Sequence, residues 1–221
     1  MIEYARHLEE YQDYNESSFS TLVPEPQWGN KLLAETYLKK YWLSESEYQA
    51  VWKPIQDQIF LPSAAFPQSI LQPKYQFIAL TGGCLFLEDD FRHFQKAITQ
   101  VGDSQFVVIQ SSQEYTTGEP MFRMKYPANI SWEELISGDY ISAVIFGMGY
   151  NEYYVFGTTG LWAKYSATDN EHPFYLISFQ PDVAHFFTKE FNQSREEQDR
   201  IYEHLPPEYK FSKSLLQNQH R

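Results

Sequence analysis

Residues 140–179 read YISAVIFGMGYNEYYVFGTTGLWAKYSATDNEHPFYLISF, and this stretch decides the fold. Four runs rich in β-branched and aromatic residues are divided by turn-forming clusters at 147–151, 157–160 and 168–172, the pattern of an antiparallel meander. Alternation sends half of its rings, among them Tyr150, Tyr153, Tyr154, Trp162, Tyr165 and Tyr175, to each face of the sheet. One face is expected to pack on helices. The other is expected either to carry a second helical layer or to present rings to a partner.

Upstream of the meander the periodicity becomes helical. Tyr4, Leu8, Tyr11 and Asn15 form one face of a helix over 2–15, with Glu9, Glu10 and Asp13 opposite, before Pro24 and Pro26 break the chain. Leu33, Tyr37 and Tyr41 recur every four residues in a second helix over 30–42. Ser44 and Glu47 have capping-box spacing, and Leu43 and Tyr48 can staple the start of a third helix that buries Tyr48, Val51, Trp52, Ile55 and Ile59. Pro54 is expected to kink or interrupt that helix.

A proline-rich connection over 61–74 leads to a strand at 75–80 and a turn at Gly82 and Gly83. A helix striped by Phe91, Phe94, Ile98 and Val101 follows, its first turn carrying Glu88, Asp89 and Asp90, where the helix dipole favours anions. Strands are expected at 106–110 and 121–126, and a short helix capped by Ser131 and Glu134. Beyond the meander, Val183, Phe186, Phe187 and Phe191 define a helix that covers one side of the sheet, and a charged helix over 194–204 precedes a polar tail. The expectation is a single α+β domain with a mostly antiparallel sheet. It has a helical N-terminal part (1–60), a sheet-bearing part (75–192) and a C-terminal helix and tail (193–221).

The 221 residues carry a net charge of -12, which argues against a nucleic-acid or anionic-membrane binder, because both need a cationic face. A single cysteine excludes an internal disulfide framework, and no run has the length or apolarity of a membrane span. The N-terminus lacks the basic and apolar regions of a signal peptide. These features fit a cytoplasmic protein.

Few residues carry a chemical signature. Cys84 lies close in sequence to Glu88, Asp89 and Asp90, which disfavour a thiolate, so it reads as a small buried side chain. Asp169, Asn170, Glu171 and His172 combine cation-binding groups, yet the same letters serve a hairpin turn. Gly147 and Gly149 begin a nucleotide-binding pattern whose third glycine is replaced by Glu152. His7, His93, His185, His204 and His220 have no metal-ligand spacing, and no phosphate loop or nucleophile elbow occurs. No cofactor, metal ligand or catalytic residue is assigned on this basis.

The pattern FGTTGLWAKYSATDNEHPFYLISF followed by DVAHFFTKEF resembles the strand–strand–aromatic-helix ending of small bacterial immunity-type proteins, including the SUKH superfamily. The resemblance implies one α+β domain that binds and neutralises a secreted toxin inside the cell. Two functions follow as expectations. The first is a non-enzymatic binding protein whose acidic and aromatic surface, drawn from Asp89, Asp90, Tyr150, Glu152, Tyr154, Trp162, Asp169 and Glu171, occludes a basic protein partner. The second is a small hydrolase or metal-assisted enzyme built on Asp169, Glu171 and His172.

Overall fold

Asn30 opens the first helix, α1 (Lys31–Tyr41), by accepting the Leu33 N–H on its side chain, and Lys39 and Lys40 close it where the dipole favours cations. In this computed structural model the described residues are 29–62, 70–82, 85–110, 123–146, 152–167 and 174–192, with the single positions 194, 196, 199 and 203. The expected helix over 2–15, Cys84, the turn at 147–151, the cluster at 169–172 and the C-terminal tail lie outside them. The inner face of α1 centres on Ala34, Tyr37, Leu38 and Tyr41. Leu33, expected inside, falls at the margin of that face and is exposed.

Ser44 accepts the Glu47 N–H at 3.3 Å, as the capping spacing predicts, and starts α2 (Glu45–Glu47). The chain then widens into a π-turn (Tyr48–Trp52) before α3 (Lys53–Ile59). The Lys53 N–H reaches back to the Tyr48 carbonyl, five residues away, and Pro54 takes a place in the first turn of α3, where its missing N–H leaves no bond unmade. The interruption expected at Pro54 is therefore a change of helical register. Its extra residue keeps Tyr48, Trp52 and Ile59 inside but turns Val51 outward to 46% exposure, which corrects the expected burial of Val51.

The fold is α+β. Six described strands, β1 (Gln76–Thr81), β2 (Gln105–Gln110), β3 (Arg123–Pro127), β4 (Tyr153–Gly157), β5 (Trp162–Ala167) and β6 (Phe174–Phe179), form one sheet in the order β1-β6-β5-β4-β2-β3. Every described pairing is antiparallel. The other described helices are α4 (Glu88–Val101), α5 (Trp132–Leu135), α6 (Tyr140–Phe146) and α7 (Ala184–Glu190).

The first run of the expected meander is thus a helix, α6, and the meander proper has three strands. Capping and packing override the β-propensity of YISAVIF. Asp139, held in the left-handed region at φ 51, accepts the N–H groups of Tyr140 and Asn30 on one oxygen, each at 2.8 Å. The Ser142 hydroxyl accepts the Gly138 N–H at 2.8 Å. Tyr140, Ile141, Ile145 and Phe146 then share a buried helical face, whereas Ala143 is exposed.

Two cores lie on opposite faces of the sheet. The first joins α1, α4, α6 and α7 to Phe106, Tyr126, Val155, Trp162 and Phe179. The second joins Tyr48, Trp52, Ile59, Phe60, Ile70, Leu71 and Tyr75 to Phe77, Val107, Tyr154, Phe156 and Tyr165. The ring-bearing second face is therefore covered, the first of the two arrangements expected for it. In the first core the Tyr37 and Tyr126 hydroxyls are 2.9 Å apart, and Tyr37 also reaches the Leu135 carbonyl. Burial pushes the phenols of Tyr37, Tyr48, Tyr126 and Tyr175 above their ordinary range. A raised phenol contributes stability below the unfolded value of about 10 and withdraws it as pH rises further. Absorbance titration should accordingly show these phenolates forming only together with unfolding, above about pH 10.

At the margin of the second core, β3 is tied to the N-terminal helices. Trp42 bridges Met124, the Leu43 N–H donates to the Arg123 carbonyl at 2.9 Å, and Lys125 grips both oxygens of Glu47 at 2.7 and 2.8 Å. Arg123 is buried, pairs with Glu45 and lies 5.2 Å from the centre of the Tyr48 ring. Burial lowers its guanidinium to about 10.

One end of the sheet is locked by a carboxylate. Asp103 follows the left-handed Gly102 that terminates α4, and it accepts four hydrogen bonds. Oδ1 takes the Thr158 hydroxyl and the Thr159 N–H, each at 2.9 Å, while Oδ2 takes the Thr159 hydroxyl at 2.8 Å and the Trp162 indole N–H at 2.6 Å. Residue 157 must be glycine here, because a Cβ would lie 2.4 Å from the Asp103 carboxyl carbon.

Candidate functional site

The opposite end of the sheet carries polar side chains where the first core would otherwise close. Strand register places Gln110 opposite Tyr153, Tyr153 opposite Ser166, and Ser166 opposite Tyr175, so the four form one row across β2, β4, β5 and β6. All four are buried. Lys164 sits two residues before Ser166 on the same face, paired with Val155 and Ile177, and is 1% exposed. Its ammonium lies 3.5 Å from the centre of the Tyr175 ring and 4.3 Å from that of Phe86, so two π-faces help to offset the loss of water.

The N-terminus of α4 meets this row. The Tyr175 hydroxyl donates to Asp90 Oδ2 at 2.9 Å, and burial together with that carboxylate keeps the phenol protonated. Leu87 provides no side-chain cap for α4, so Glu88, Asp89 and Asp90 are what complements its unpaired N–H groups. A lysine, two phenols, an amide, a hydroxyl and a carboxylate thus gather at one sheet end, an arrangement suited to polar recognition.

Replacing Lys164 tests how much of this gathering depends on its charge. A methionine keeps the length and makes sulfur contacts with both rings. Lys164→Met should therefore stay folded, whereas Lys164→Glu, which sets a carboxylate against π-faces beside Asp90, should lose about 3–5 kcal/mol in urea unfolding.

The residues expected from the sequence divide sharply. Asp89 is exposed and Asp90 partly so, both at this end, and the buried Glu152 immediately precedes β4 here too. Tyr150, Asp169 and Glu171, with His172, lie outside the described residues, but their connections join the sheet at this end: Ala167 and Phe174, which flank 168–173, are paired across β5 and β6.

Tyr154 and Trp162 are corrections. Tyr154 faces the second core, its ring 4.5 Å from Phe60 and 5.5 Å from Tyr165 between centres, and Trp162 is wholly buried at the far end on Asp103. Neither ring is a surface contact, because the aromatic wealth of the meander fills two cores. Glu152 likewise cannot steer a partner from its buried position.

Sequence reading missed Lys164, Ser166, Gln110 and the link from Asp90 to Tyr175. A signal did exist: in WAKYSA, Lys164 and Ser166 share the parity of Trp162, so a tryptophan inside requires both polar side chains inside. Among the described residues no three His, Cys, Asp or Glu side chains are grouped to hold a metal ion, and no helix is long and apolar enough to cross a membrane. Against known proteins, no family model, curated protein or solved structure matches the chain, so the chemistry of this site is argued from its own residues.

Proposed function

We propose that the protein is a non-enzymatic binding protein of immunity type, acting in the cytoplasm, that occludes a basic protein such as a secreted bacterial toxin at the polar end of its sheet. The observation that carries the reading is topological. Asp89 and Asp90 on α4 stand at the same sheet end from which the connection bearing Asp169 and Glu171 departs, in a chain of net charge -12. Carboxylates on a contact surface speed encounter with a cationic partner.

The experiment is capture of partners from native extract at low and moderate salt, followed by kinetics with the triple variant Asp89→Lys, Asp169→Lys and Glu171→Lys. A basic partner should be held at low salt and released as salt rises, with association slowed at least about tenfold in the variant. An unchanged association rate at low salt would overturn the placement of the surface.

A second reading rests on the buried row itself. Gln110, Tyr153, Ser166 and Tyr175 stand at the sheet end from which the connection bearing Asp169, Glu171 and His172 departs, where a metal-assisted hydrolase would use such polar groups. Zinc or calcium should then raise the melting temperature, and His172→Ala should abolish the rise. No shift with either ion removes this reading.

A further inference from the structure

We draw no further inference here: the strongest candidate, the row of buried polar side chains Gln110, Tyr153, Ser166 and Tyr175 with Lys164 beneath it at one end of the sheet, belongs to the site already described.

Discussion

Asp103→Ala is expected to destabilise the protein by about 3–5 kcal/mol, a large part of the 5–15 kcal/mol typical of a whole domain. The residue is buried and its carboxylate satisfies two hydroxyls, a backbone N–H and an indole N–H. Truncation leaves those donors facing a small void from which water is largely excluded. Asp103→Asn is the sharper test, since it keeps the shape and changes only what the atoms can accept. The two threonine hydroxyls can rotate to accept from an amide NH2, but the Thr159 N–H at Oδ1 and the Trp162 indole N–H at Oδ2 cannot. In either orientation one fixed donor meets another, so the asparagine variant should still lose about 2 kcal/mol in urea unfolding. Gly157→Ala should be similarly damaging, because the added methyl occupies the place of the carboxylate. A neutral asparagine variant would show that packing, not acceptance of hydrogen bonds, fixes Asp103.

The second large effect is expected at Glu45. Its carboxylate pairs with Arg123, whose side chain is only 5% exposed and whose Nε has no hydrogen-bond partner among the described residues. Glu45→Ala removes the counter-charge and leaves a desolvated guanidinium with, among the described residues, the face of Tyr48, a loss of about 3 kcal/mol. Changing both partners, Glu45→Leu with Arg123→Met, should recover most of that stability, since apolar groups of similar volume incur no desolvation of charge. The half-exposed pair of Glu47 and Lys125 should contribute at most about 1 kcal/mol, because water screens it. If the double variant were less stable than Glu45→Ala alone, the buried cation would be making contacts that outweigh its desolvation.

The elements that could be read from the sequence are those whose signal is local. The capping pairs at Ser44 and Ser131, the apolar stripe of α4 and the three real strands of the meander each announce themselves within a few residues. The helical state of 140–146 does not, because it depends on Asp139 meeting Asn30, a residue 109 positions away. Val51 was misplaced for a related reason: a wheel of 3.6 residues per turn cannot foresee the register change that Pro54 demands. At the candidate site, charge pointed to Asp89 and Asp90, which the structure leaves at least partly exposed, but ring content misled. Aromatic residues in alternating strands signal burial on either face as readily as exposure, and only the second helical layer decides between them. The row from Gln110 to Tyr175 is a property of register, which no single strand contains.

The Asp103 clamp makes the two ends of the sheet unequal in their freedom to vary. An aspartate at 103 after the left-handed Gly102, answered by Thr158, Thr159 and Trp162 and closely approached by Gly157, holds α4 to the turn between β4 and β5, which Gly160 completes at φ 62. Among the described residues, the far end, with its acidic helix start, bears no part of that lock. The proposed recognition surface is therefore free to vary at one pole while the scaffold is inherited intact at the other. Kinship would then be traced through a Gly-Asp pair followed some fifty residues later by GTTGxW, even where the loops share nothing.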